Sequence, residues 1–277
     1  MEEERFARIE RGFAQPYEGA RPALIIVMGP ASCGKSTIGI SLADAFNIPF
    51  IDGDSLHPKS NVDKMSAGTP LDDNDRLPWL ALIRATAERV CREEWVTKEQ
   101  GLFGVLHEQD GNLNRDVEDL AELADWEFGE GWKWKGNLKK KTDESLGVPR
   151  GGLRRPAVVI ACSALKKWYR DILRGHYPVE MPVSEISGED TEEKVMTPKP
   201  SRMDTYFVYC KGTRELLQDR IAKRKGHFMG AKMLDSQLAT LEEPEGEDGV
   251  VAVDISRTPA EITKEAVQKM VGVSKPW

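Results

Sequence analysis

Cysteine is scarce in this chain of 277 residues. There are four, Cys33, Cys91, Cys162 and Cys210, widely spaced and with no C-x-x-C pair. That pattern argues against a disulfide scaffold and for a reducing, cytoplasmic setting. Long hydrophobic runs are also missing. The longest, Ala23–Met28 and 157–162, have the length of strands and fall far short of the ~18 residues that span a bilayer. The amino-terminal MEEERFARIERG has no apolar stretch and several acidic residues, so neither a secretory signal nor a transit peptide is expected. Positive charge is in deficit. With 39 Lys and Arg against 46 Asp and Glu, the formal net charge is −7, so neither nucleic acid nor a membrane is an expected partner. What the chain does have is 40% hydrophobic and 31% charged residues. That suffices for a sizeable core under a wet surface, at a length that suits one decorated domain.

Apolar runs and helical periodicities alternate along the chain. Ala23–Met28 suits a central parallel strand buried on both faces. Residues 29–34 break it, and 36–46 space their apolar residues as a helix does. Further strands are expected at 47–51, 157–162, 205–210 and 250–254. Helices are expected at 77–91, beginning at Leu77-Pro78, and at 164–174, 213–225 and 259–271. Such alternation implies an α/β fold, a five-stranded parallel sheet flanked by helices. Two segments interrupt it, at about 92–155 and 183–202. The first holds Trp95, Trp126, Trp132 and Trp134 and a helix-like stretch at 116–127, which suggests that it packs on something. The second is acidic, contains Pro198 and Pro200, and reads as a mobile loop. Both are expected as insertions into a single domain over 1–277.

Gly29-Pro30-Ala31-Ser32-Cys33-Gly34-Lys35-Ser36 matches G-x-x-x-x-G-K-[ST], with Thr37 next along. The glycines let the backbone wrap a phosphate so that successive N–H groups point inward. The helix that follows adds the positive end of its dipole. Lys35 supplies a cation to the β- and γ-phosphates of ATP, and the Ser36 hydroxyl can ligate Mg²⁺. A glycine-rich turn before a helix is the bland alternative, but a buried strand precedes this one, which is the context a phosphate loop needs. The D-x-x-G and N-K-x-D signatures of a GTPase switch are both missing.

Phe50-Ile51-Asp52-Gly53-Asp54 places two carboxylates at i and i+2. In extended chain they share a side, and at the carboxyl end of a parallel strand they face the ligand crevice. Phosphoryl transfer to an alcohol needs a held metal and a carboxylate at the acceptor hydroxyl. Asp52 is therefore assigned to the metal with Ser36, and Asp54 to the hydroxyl, as catalytic residue beside Lys35. A solvated D-G-D turn is the alternative.

The stretch from Asp52 to Leu80, DGDSLHPKSNVDKMSAGTPLDDNDRLPWL, closely resembles the gluconokinase family. So do CSALKKWYRD from Cys162, RKGHF from Arg224 and QLATLEEP from Gln237. The resemblance covers about 22–91, 156–180 and 204–272 and neither insertion. It implies a kinase that uses ATP and Mg²⁺ to phosphorylate D-gluconate at its 6-hydroxyl, giving 6-phospho-D-gluconate and feeding the pentose phosphate route. It further implies a cytoplasmic, commonly homodimeric enzyme. The implied fold is like that of shikimate and nucleoside monophosphate kinases, with a mobile lid at about 222–236.

Within that frame the remaining polar residues take expected roles. Arg76 is a salt-bridged surface arginine on composition alone. By position it resembles the substrate arginine of shikimate kinases, and a guanidinium suits the gluconate carboxylate. His57, in a turn ended by Pro58, is either structural or a substrate contact. Ser163 and Lys166 follow the third sheet strand at the same edge. Lys166 is expected to add charge to the substrate site, unless it and Lys167 merely cap a helix. Arg220 is expected against the adenine, Arg224 on the phosphates, and His227 and Gln237 on the substrate. The basic run from Arg220 to His227 is otherwise a solvated helix end. A kinase for a shikimate-like or nucleotide acceptor, and a nucleotide-dependent scaffold without catalysis, are the competing functions.

Overall fold

The computed structural model describes residues 21–99, 155–177, 180–182, 194–196, 203–223 and 231–273. In chain order the elements are β1 (Ala23–Met28), α1 (Lys35–Phe46), β2 (Phe50–Asp52), a 3₁₀ turn (Gly53–Leu56), α2 (Lys59–Ser66) and α3 (Asp73–Glu99). They continue with β3 (Ala157–Ala161), α4 (Lys167–Leu173), β4 (Glu180–Pro182), β5 (Lys194–Met196) and β6 (Asp204–Lys211). α5 (Arg214–Lys223), α6 (Ala231–Thr240), β7 (Val250–Asp254) and α7 (Pro259–Val273) complete the fold. Five strands form one parallel sheet in the order β2-β3-β1-β6-β7. The architecture expected from the alternation is therefore the one observed.

β1 explains why the sheet needs two covering layers, because all six of its residues are buried. Ala23, Ile25 and Val27 point to one side, against Ile38, Leu42 and Phe46 of α1 and Ile262, Ala266 and Met270 of α7. Leu24, Ile26 and Met28 point to the other, against Leu80, Ile83 and Ala87 of α3 and Ile172 and Leu173 of α4. The period-2 alternation of a strand thus feeds two separate cores. Among the described residues no helix is long and apolar enough to cross a membrane. All four cysteines are buried and free, as their scatter suggested.

Several boundaries differ from expectation for local reasons. α3 begins at Asp73, not at Leu77-Pro78. Asp72 accepts from the amides of Asn74 and Asp75 at 2.9 and 3.0 Å, and Asp75 returns a carboxylate to the Asp72 amide at 2.7 Å. This reciprocal cap starts the helix ahead of the proline, which then costs one amide donor inside it. β2 starts at Phe50 because Asn47 adopts φ 53 and caps α1 in the left-handed conformation. α4 starts at Lys167 because Ala164, at φ 44, cannot join a right-handed helix. The 183–202 segment, read as a loop, contributes β5, which pairs antiparallel with β4 over 180–182. The helix expected at 116–127, with Trp126, Trp132 and Trp134, lies outside the described residues.

Candidate active site

The carboxyl ends of the parallel strands bring the site together, where open α/β sheets bind ligands. Asp52 of β2 aligns with Ala161 of β3, which aligns with Val27 of β1. The turn after β1 is a left-handed nest: Gly29 has φ +142, Ser32 φ 62 and Gly34 φ +97. Successive amides turn inward in such a nest, which makes a concave anion site. Pro30 and Cys33 are buried beneath it, while Ala31, Ser32, Gly34, Lys35 and Ser36 are partly open and Thr37 is exposed. The loop after β3 braces the nest, the Gly29 amide donating to Ser163 O at 3.3 Å. Lys35 Nζ folds back onto Pro30 O at 3.0 Å.

Ser36 Oγ donates to Asp52 Oδ2 at 2.8 Å, joining the start of α1 to the end of β2. Asp54 is not the strand neighbour that the i, i+2 argument required. The strand stops at Asp52, whose Oδ1 caps the 3₁₀ turn by accepting from the Asp54 amide at 3.2 Å. Gly53 is needed between them, because a Cβ there would collide with the Ala161 carbonyl. Cys162, at the end of β3, is pushed up to about 12 by burial, with Asp54, Lys35 and Asp52 all acting on it electrostatically.

Along α3, Asp73, Arg76 and Trp79 share a face at helical spacing. Asp73 receives Lys166 Nζ at 2.8 and 2.6 Å and also the Tyr169 hydroxyl. Hydrogen bonds from these two donors, Lys166 first, hold the Asp73 carboxyl below the usual aspartate range. Burial and Asp73 push the Tyr169 hydroxyl up. Lys166, expected to add charge to the substrate site, shares that charge with a carboxylate 93 residues away. Arg76 makes no ion pair with a carboxylate among the described residues, and its charge is felt at His57, Asp73 and Tyr169. The salt-bridged surface reading of Arg76 fails, because Asp72 and Asp75 pair with Lys64 instead, at 3.4 and 2.5 Å.

Two basic and amide side chains land at the phosphate nest. Arg220 donates to Cys33 O at 3.2 Å and Ile255 O at 2.6 Å, tying the nest to the loop after β7. Gln237, expected on the substrate, accepts from the Ala31 amide at 2.6 Å. Its place is the phosphate nest, because α6 packs back over that turn. Arg224 and His227 lie outside the described residues. Asp73, Tyr169, Trp79 and Asn61 were given no role from the sequence, although each lies within or beside the quoted motifs. The D-R-L-P-W spacing, which puts Arg76 and Trp79 one helical turn apart, is the signal that would have found Trp79.

No protein-family profile matches the chain. Individual proteins do. A probable gluconokinase of Mus musculus is 30% identical over 250 residues, covering 90% of this chain and 98% of that protein. The gluconokinase of Gluconobacter oxydans is 29% identical over 250 residues, covering 90% and 92%. A solved gluconokinase from Sinorhizobium meliloti is 31% identical and covers 91% of this chain and 93% of its own, with a TM-score of 0.53. Phosphate nest, paired hydroxyl and carboxylate, and similarity over nine-tenths of the chain agree: the chain belongs to the gluconokinase family.

Proposed function

We propose that this chain transfers the γ-phosphoryl group of ATP to the 6-hydroxyl of D-gluconate, giving 6-phospho-D-gluconate and ADP. One observation carries the reading: in a chain of this family, Ser36 meets Asp52 at 2.8 Å directly beside the phosphate nest. Among the described residues no cluster of three or more His, Cys, Asp or Glu is placed to hold a metal. A hydroxyl with one carboxylate is nevertheless the donor set that Mg²⁺ takes when phosphate and water complete its shell. Ser36 and Asp52 would hold it, and it supplies neutralisation of the phosphate charge.

The protein residues do the rest. The amides of 29–36 and Lys35 bind the β- and γ-phosphates, and Arg220 and the loop after β7 border the adenine. Asp54 orients the acceptor hydroxyl and takes its proton as the oxygen attacks phosphorus. Arg76 holds the gluconate carboxylate, with Asp73, Lys166 and Tyr169 fixing that end of the site and Ser163 at its edge. Arg224, on the phosphates, and His227, on the acceptor, keep the roles that their motif gives them in a lid between α5 and α6; the expected bound at 236 is too late, because α6 starts at Ala231 and its Leu234 is buried in the core. Closure of that lid excludes water and suppresses ATP hydrolysis. A single cytoplasmic domain acting as a homodimer rests on the family resemblance, and light scattering tests the dimer.

The experiment is an acceptor panel read by ADP release. D-gluconate should turn over at least tenfold faster than shikimate or a nucleoside monophosphate. Equal rates, or none with gluconate, would overturn the reading.

A further inference from the structure

His57 is held on two sides. Its ring stacks on Trp79, centroids 4.0 Å apart and planes 15° from parallel. Trp79 is itself 3% exposed and donates its indole N–H to Gly53 O at 2.8 Å. The platform under His57 is therefore locked to the turn that carries Asp54. On the ring's edge, Asn61 Nδ2 lies 3.4 Å from Nδ1.

That amide decides the tautomer. Asn61 Nδ2 also donates to Asp75 O at 2.8 Å. A backbone carbonyl can only accept, so this atom is the amide nitrogen, and its second hydrogen can only be given. His57 Nδ1 must then be the bare, accepting nitrogen, and the proton of the neutral ring sits on Nε2. The reverse tautomer would set two donors against each other at a residue that is 2% exposed, which is a costly arrangement. The charge state agrees. Burial, and after it the positive charge of Arg76, pushes the imidazole down to about 4. Nε2 has no hydrogen-bond partner among the described residues and is not one of their buried unpaired atoms, so solvent or a ligand reaches it.

We propose that His57 is a specificity-determining residue that donates its Nε2–H to a hydroxyl of the polyol acceptor, with Asn61 as the positioning residue that holds it in that tautomer. This rests on the acceptor reading above. A neutral donor suits the task. Arg76 already supplies the cation for the carboxylate, and a second cation against it would be repelled. A polyol hydroxyl asks only for a directed hydrogen bond, and a site built to give one penalises an acceptor that lacks the hydroxyl. His57 is then no competitor of Asp54 for the transferred proton.

Two measurements on the full-length protein test this. The first is the long-range ¹H–¹⁵N spectrum of the imidazoles, with His57 assigned by its loss in His57→Gln. At pH 7 Nε2 should be protonated and Nδ1 bare, and Asn61→Ala should mix the two tautomers. A ring protonated on Nδ1, or on both nitrogens, would overturn the proposal. The second is a KM series for gluconate. His57→Ala and His57→Asn should raise it roughly threefold to tenfold, with the KM for ATP unmoved. His57→Gln, whose amide nitrogen reaches where Nε2 stood, should recover most of the loss. An unchanged KM in His57→Ala, or better rescue by Asn than by Gln, would overturn it. If the wild-type chain does not phosphorylate gluconate, the acceptor reading fails and the hydroxyl contact with it, while the tautomer stands or falls by its own spectrum.

Discussion

Gln237 holds its side-chain oxygen 2.6 Å from the amide nitrogen of Ala31, so an acceptor from α6 occupies a donor of the phosphate nest. The same oxygen is neutral, and that neutrality is testable. Gln237→Glu keeps an acceptor at the Ala31 amide but sets a negative charge beside the phosphates. The KM for ATP should rise roughly tenfold or more, because like charges a few ångströms apart at a partly desolvated site repel by kilocalories. Gln237→Ala should change it far less. Equal values for the two variants would mean that Gln237 leaves the nest before ATP arrives.

Lys35 lies over the same nest, on Pro30 O. Lys35→Ala removes its cation from the developing phosphate charge, and loss of one such stabilising group typically costs ~10²–10³ in kcat. Circular dichroism should show an unchanged fold. A folded variant with near-normal turnover would remove the phosphate assignment.

Asp52 and Asp54 should separate by metal dependence. Asp54→Asn keeps shape but cannot take the proton, so kcat should fall ~10²–10⁴-fold with little change in ATP affinity. Asp52→Asn weakens the pair with Ser36 and should raise the Mg²⁺ requirement. In a Mg²⁺ titration of both variants, excess metal should restore Asp52→Asn only. Restoration of Asp54→Asn instead would reverse the two roles.

Arg170 belongs to the same motif as Lys166 but is structural. It is 0% exposed and donates to Ala164 O, Leu165 O and Glu247. Arg170→Met strands those acceptors, and breaking a buried pair typically costs about 3–5 kcal/mol. The variant should melt at markedly lower temperature. Burial raises the Glu247 carboxyl pKa, but hydrogen bonds from Arg170 and Arg174 outweigh it and hold the group below its ordinary value of 4.5. A folded pKa below the unfolded one stabilises fully above 4.5 and is lost as pH falls through the folded value. The gap in melting temperature between wild type and Arg170→Met should therefore narrow below about pH 4.5. A gap that persists at lower pH would assign the loss to packing.

These residues also show how far the sequence was legible. β1 and the nest were plain, because apolar runs and glycine turns act over a few neighbours. The cap at Asp72 and Asp75 was not, since it uses Asp where Glu is the familiar partner and a proline nearby offered a rival start. Asp52 and Asp54 take a geometry that the i, i+2 spacing did not foretell, because the strand ends at the first of them. The partners of Lys166 and Gln237 were invisible, lying 93 and 206 residues away in the chain. Burial likewise separates Arg170 from the solvated arginines it resembles in sequence.

The central claim is phosphoryl transfer from ATP to the terminal hydroxyl of gluconate with Asp54 at the reacting oxygen. The most direct measurement is ³¹P NMR of the product formed from ATP and D-gluconate, for the wild-type chain and Asp54→Asn side by side. The account predicts a phosphomonoester coupled to the two C6 protons in the wild-type reaction, and its near-absence with the variant. A phosphate on another carbon, inorganic phosphate alone, or equal product from both proteins would contradict it.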